Sequence, residues 1–79
     1  MRVRVFAALR EIAGPSELEE DADTVGQLVD RLGDRFGPQF ARILAAGSVI
    51  VDGERSDRDR RLQPQDDVAL LPPVSGGLE

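Results

Sequence analysis

Cysteine, histidine, lysine, tryptophan and tyrosine are all missing from the 79 residues of this sequence. Without cysteine there is no disulfide and no thiol nucleophile, and without histidine the Cys–His and Ser–His–Asp arrangements cannot be assembled. The same two absences remove the usual zinc ligands, so no metal site is expected. With no lysine, the chain offers no side-chain amine for a Schiff base, a phosphate grip or an acceptor of modification. Three phenylalanines are the whole aromatic content, too few to stack a run of bases. Long apolar runs are lacking as well, so neither a membrane span nor a signal peptide is expected. With no export signal and no cysteine, the default compartment is the cytoplasm. Whatever chemistry the chain joins, a partner supplies most of the reactive groups.

What is present fits one small domain. Apolar residues make up 41% and charged residues 32%, an ordinary balance for a globular chain. Ten arginines face fifteen acids for a net charge of −5. Arg2, Arg4, Arg55, Arg58, Arg60 and Arg61 are offset by the acids of Glu17–Asp21 and by Asp52, Glu54, Asp57 and Asp59. Nucleic-acid binding needs a coherent positive surface, and none is expected here. The acidic balance suits a basic protein partner and equally serves solubility.

Arg2-Val3-Arg4-Val5-Phe6 alternates with period two and predicts a half-buried strand, Phe6 pointing away from the core with the arginines. Ala7–Ala13 predicts a short helix stopped by Gly14 and Pro15. Ser16–Asp21 predicts a weak second strand with Leu18 alone to bury. Thr24-Val25-Gly26-Gln27 has the form of a capping box. Behind it Val25, Leu28, Val29, Leu32 and Phe36 make one apolar helix face. Gly37-Pro38 ends that helix and opens another, with Phe40, Ile43 and Leu44 as its apolar side. Val49–Val51, a turn at Asp52-Gly53, and Glu54–Ser56 predict a hairpin. Ser56–Arg61 reads as a charged loop without periodicity, and Val68–Leu71 as the last strand. Two strands, a principal helix and further strands give an α+β fold in β-grasp, ubiquitin-like order: one mixed sheet, a main helix on one face, and short helices. At this length the net stability is about 3–5 kcal/mol, so Val3, Val5, Leu28, Leu32, Val51, Val68 and Leu70 are hard to spare.

After Leu71 the sequence changes character to Pro72-Pro73-Val74-Ser75-Gly76-Gly77-Leu78-Glu79. Two prolines favour an extended path, and two glycines make the narrowest peptide possible. Extended, the six residues 72–77 reach roughly 20 Å. A stiff stem, a thin tip and that reach describe a group delivered into another protein's active site. Composition alone also fits an idle terminal tail. The direct exit from a core strand and a nearby apolar patch favour the first reading. By strand parity, Phe6 and Leu71 face away from the helix and can meet on the open sheet face, as a docking site beside the tail's root.

The opening Val3-Arg4-Val5-Phe6-Ala7 with Leu9-Arg10-Glu11, the capped helix from Thr24, and the close Asp67-Val68-Ala69-Leu70-Leu71-Pro72-Pro73-Val74-Ser75-Gly76-Gly77 together resemble the MoaD family. These are small sulfur-carrying subunits of molybdopterin synthase, related to ThiS and ubiquitin. The resemblance spans nearly the whole chain, and the Pro-Pro-Val-Ser-Gly-Gly string is its most specific element. It implies residues 1–71 as the domain and residues 72–77 as the working tail. It further implies that the Gly77 carboxylate is adenylated by an ATP-dependent, MoeB-like E1 activating enzyme and converted to a thiocarboxylate by a sulfur donor sulfurtransferase. Pro72, Pro73, Val74, Ser75 and Gly76 would then enter a MoaE-like large subunit, where the sulfur goes to cyclic pyranopterin monophosphate. The chain itself would be non-catalytic and bind no cofactor; ATP belongs to the activating enzyme.

Three departures stand out. Family members end at the second glycine, whereas Leu78-Glu79 follows here and reads as a cloning remnant or, alternatively, a natural extension trimmed by a protease. Gln65 stands where relatives usually place glycine. Arg55, counted with Phe6 and Leu71 in the docking face, stands where relatives often carry an apolar residue. Three other functions remain open: a sulfur carrier for thiamin, cysteine or another thio-metabolite; a ubiquitin-like modifier joined through Gly77 to a target lysine; and a plain interaction module.

Overall fold

The computed structural model describes residues 1–73. Arg2–Val5 forms strand β1, its arginines exposed and its valines buried as the period of two requires. Helix α1, Ala7–Ala13, follows without a linker and buries Leu9. Phe6, expected at the end of the strand, lies outside it: β1 closes at Val5 and Phe6 takes the N-cap of α1. Its backbone stays extended (φ −121°, ψ 152°) while its carbonyl oxygen already accepts from the N–H groups of Leu9 and Arg10, at 3.2 and 3.3 Å. One residue thus serves strand and helix together because nothing separates them.

Strand β2 is Glu17–Glu19, shorter than the expected 16–21, and Leu18 is its buried residue. Helix α2, Val25–Phe36, starts at Thr24, whose Oγ1 accepts from the Gln27 N–H at 3.1 Å. The other half of the expected capping box differs. Gln27 Oε1 accepts from the N–H of Asp23, at 2.6 Å, rather than from that of Thr24. The remaining free donors of the first turn are met by the segment read as a charged loop without periodicity. Val25 and Gly26 donate to the carbonyl oxygens of Arg60 and Arg58, both at 2.9 Å, so segment 58–60 caps the helix.

Gly37 closes α2 and opens helix α3, Pro38–Ala46, donating its N–H to Gly33 O at 2.8 Å. Its φ of +100° suits a residue without Cβ. The rings of Phe36 and Phe40 sit 5.1 Å apart across this junction. Strands β3, Ser48–Val51, and β4, Glu54–Ser56, are joined by Asp52 and Gly53, at φ +50° and +85°, the primed hairpin turn that the Asp-Gly pair predicts. Strand β5 is Asp67–Leu71. Gln65, in the turn before it, is not among the described residues with positive φ, so the non-glycine there carries no backbone strain.

The five strands form one mixed sheet in the order β2-β1-β5-β3-β4, with β1 and β5 parallel and the other pairs antiparallel. This is the β-grasp architecture. One sheet face presents Leu18, Val3, Val5, Val68, Leu70, Val49 and Val51 to Leu9, Leu28, Leu32, Phe40 and Leu44, all buried. Removing one such leucine side chain costs about 2–5 kcal/mol, as much as a domain of this size holds. Among the described residues no helix is long and apolar enough to cross a membrane.

Met1 is also buried, which the sequence pattern does not flag. Its ammonium donates to Glu20 O at 3.0 Å and to Asp21 Oδ1 at 3.2 Å, with Glu19 Oε1 at 3.4 Å. The Asp21 hydrogen bond, opposed by burial and aided by Glu19, raises the amine above its ordinary value of 8.0. An amine raised in the folded state contributes its stability fully below the unfolded value and loses it as pH climbs through the folded one. Resistance to urea is therefore expected to hold below pH 8 and to fall above it. Acetylating the amine should flatten that dependence, and an unchanged slope in the acetylated protein would refute the assignment. Because both carboxylates are exposed, the effect is small.

Candidate functional site

The root of the tail is the end of the central strand. Leu70 is paired with Val5 on one side and Val49 on the other, while Leu71 keeps a single partner, Ser48 of β3. The Phe6 N–H donates to Leu70 O at 3.3 Å, the last such contact with β1. Beyond it Pro72 is half-buried and Pro73 exposed. Proline cannot donate to a ladder, so the sheet stops there. Val74, Ser75, Gly76 and Gly77 lie outside the described residues.

Register settles which side chains share the open face. Val3 and Val5 are opposite Val68 and Leu70, so Arg4 is level with Ala69, and Phe6 falls one step on, beside Leu71. Ile50 is opposite both Ala69 and Arg55. By register Phe6, Leu71, Ala69, Ile50 and Arg55 fall on one face, and Arg55, on the edge strand, also reaches a concavity on the helix side. Ile50 was legible from the same parity within Val49–Val51. Phe6 is 42% exposed, the one large exposed hydrophobic residue among those described. The other two phenylalanines pack on each other, so only this aromatic is left for a partner. On its far flank the face is charged and self-compensated: Arg4 meets Asp67 at 2.7 Å and Arg2 meets Glu17 at 3.8 Å. Arg55 has no ion-pair partner among the described residues.

A backbone reversal follows Phe6 directly. Ala7 has φ +51°, a left-handed conformation that costs a residue with Cβ roughly 1–2 kcal/mol. That reversal turns the chain from β1 into α1 at once and leaves Phe6 exposed. Sequence alone gives no sign of it.

The interior offers no acid or base: among the described residues no polar or charged side chain is buried. Nor are three or more carboxylates grouped to hold a metal ion there. A concavity of about 550 Å³ opens between α2, α3 and the β3–β4 hairpin, with a floor of Val25, Val29, Leu44 and Val49 and a rim of Arg55, Asp57 and Arg58. It holds no set of groups for covalent chemistry. What the described part of the molecule provides is a scaffold, an apolar face and an exit for the chain end.

The profile described as the ThiS family matches residues 3–77, the strands, helices and tail together. The chain belongs to the ThiS family. Across 82 aligned residues it is 29% identical to a Dictyostelium discoideum protein named molybdopterin synthase sulfur carrier subunit, covering 96% of this chain and 94% of that one. A protein of the same name from Phaeosphaeria nodorum is 38% identical over 58 residues, covering 63% of this chain and 60% of that one. In three dimensions this ThiS-family chain is similar to the small archaeal modifier protein 1 of Methanosarcina acetivorans, with a TM-score of 0.83 and 26% identity over 96% and 94% of the two chains. The resemblance to MoaD and ThiS proteins read from the sequence is thus borne out, as is the ubiquitin-like fold.

Proposed function

We propose that this ThiS-family chain is a sulfur carrier protein, the small subunit of molybdopterin synthase, bearing its sulfur as a thiocarboxylate on Gly77. The observation that carries the reading is the position of β5: a strand paired on both sides ends in Leu71, and the sequence Pro72-Pro73-Val74-Ser75-Gly76-Gly77 follows with no spacer. The matching name of the curated relatives supports it.

A carboxylate is a poor electrophile. Adenylation, in which its oxygen displaces pyrophosphate from ATP on an E1-like enzyme, converts it to a mixed anhydride with AMP as the leaving group. The terminal sulfur of a donor persulfide then attacks the acyl carbon and AMP departs. A thiol attacks the donor-side sulfur of the resulting acyl disulfide, forming a disulfide there and releasing the thiocarboxylate, an anionic sulfur nucleophile for the pterin precursor. None of these steps calls on a side chain of this protein, in keeping with a sequence without cysteine, histidine or lysine. The chain acts as a non-catalytic subunit, and Phe6, Leu71 and Arg55 form the face that docks on the large subunit. Phenylalanine and arginine are both enriched at protein interfaces, and Leu71 adds apolar area beside Phe6. Pro72 to Gly76 are the segment inserted into that partner.

A modifier function is the second reading, favoured by the likeness to the small archaeal modifier protein. One experiment separates the two. Chain ending at Gly77 is incubated with ATP, an E1-like enzyme and a sulfur donor, then with the large subunit and cyclic pyranopterin monophosphate. Dithiolene formation from the loaded chain is the expected result. Loading without transfer to the pterin would assign the carrier to another thio-metabolite, and Gly77-linked adducts on lysines would identify a modifier.

A further inference from the structure

Among the described glycines, one sits where a side chain would strike the backbone of another element. A Cβ on Gly47 would lie 2.0 Å from Leu71 O, 3.0 Å from Pro72 Cα and 3.1 Å from the Leu71 carbonyl carbon. The φ of Gly47, −97°, is not the left-handed value that by itself calls for glycine. Elsewhere the contacts are milder, although Gly14, Gly37 and Gly53 are needed for their positive φ. A Cβ on Gly26 would meet only the end of the Arg58 side chain, and one on Gly33 only Ala41 Cβ, each at 3.2 Å; Gly14, Gly37 and Gly53 have open space.

We propose that Gly47 is a positioning residue for the carrier tail: by having no side chain, it lets the Leu71–Pro72 peptide cross the α3–β3 junction and so sets the direction in which the chain leaves the sheet. The proposal rests on the sulfur-carrier reading. Ser48 and Leu71 are the last β3–β5 pair, so Gly47 stands opposite Pro72, which has no N–H to bond. The close approach there extends no ladder, and what it fixes is the path of exit. The other side of that exit is bounded by Phe6, whose N–H holds Leu70 O. Pro72 and Pro73, their φ locked by their rings, carry the direction onward. A methyl group at position 47 must push the Leu71–Pro72 peptide away by about 1 Å, and a displacement of about that size at a reacting group can slow a reaction about 100-fold.

The test uses chains ending at Gly77, loaded with the thiocarboxylate and mixed with the large subunit and its pterin acceptor. Gly47→Ala is expected to fold, to dock within about threefold of the unaltered chain, and to transfer sulfur about 10- to 100-fold more slowly in a single turnover. Gly33→Ala, remote from the exit, should transfer at the unaltered rate. Equal rates for Gly47→Ala and the unaltered chain overturn the proposal. So does a loss confined to docking, which would make Gly47 part of the binding face. If Gly47→Ala does not fold, Pro72→Gly decides, since it leaves every strand pair in place and frees the exit. It should be slower by about 10-fold, and an unaltered rate there also overturns the proposal. Failure of the unaltered chain to load or transfer would instead remove the carrier reading, and this inference with it.

Discussion

Shortened by two residues to end at Gly77, the chain should pass from no sulfur uptake to complete uptake, seen as a mass gain of about 16 Da when oxygen is exchanged for sulfur. As long as Leu78 follows, the Gly77 carbonyl belongs to a peptide bond and has no carboxylate oxygen to attack ATP. No residue within the described fold offers an alternative site for the sulfur: there is no cysteine, and no buried side chain capable of acid–base work. The difference is therefore expected to be all-or-none rather than graded. Both chains should melt alike, because the last sheet pair is Ser48 with Leu71, well before the cut. Sulfur on the protein ending in Glu79 would contradict a mechanism at the terminal acyl group. Unequal melting would show instead that the final residues support the domain.

The second large effect is expected at the docking face. Leu71→Asp places a carboxylate in the apolar strip formed by Phe6, Ala69 and Ile50. Truncating or charging an anchor at the centre of an interface typically costs at least 2 kcal/mol, so affinity for the large subunit should fall about 30-fold or more. Since Leu71 is only half-buried and its strand is held by Val68 and Leu70, the isolated domain should remain folded. Phe6→Ala, at the more exposed position, is expected to weaken binding in the same direction with even less effect on melting. The comparison to make is affinity by calorimetry against melting by circular dichroism. Unchanged affinity in both variants would remove the open sheet face as the contact surface.

The sequence was legible wherever a residue's own chemistry decides its conformation. The hydroxyl of Thr24 over Gln27, the Asp52-Gly53 turn, Pro38 at the start of α3 and the alternation of Val3, Val5, Val68 and Leu70 were all realised in the structure. Parity brought Phe6 and Leu71 to one face although they are far apart in sequence, whereas Arg55 was singled out only as a departure from the family pattern. What could not be read depends on groups that every residue carries. The caps on α2 come from the main-chain carbonyls of Arg58 and Arg60, and any sequence in that loop would supply the same atoms. The handover at Phe6 depends on the absence of a linker and on the unusual φ of Ala7, for which alanine is no signal. Gly47 owes its identity to a peptide 24 residues further along (71 against 47), a contact visible only once β3 and β5 are paired. Met1 is buried because β1 begins with its neighbour, whereas a pattern search treats a first residue as free.

The strand that leads into Pro72 and Pro73 also stands in the middle of the sheet, flanked by β1 and β3, and among the described strands it is the last to be synthesised. Until it emerges, β2–β1 and β3–β4 are two hairpin-like fragments without the strip that joins them, and the apolar face of α2 has half a floor. A polypeptide that stops before β5 thus lacks the keystone of the sheet. Under the proposed function, products truncated before β5 are expected to be left to proteolysis rather than to reach an activating enzyme.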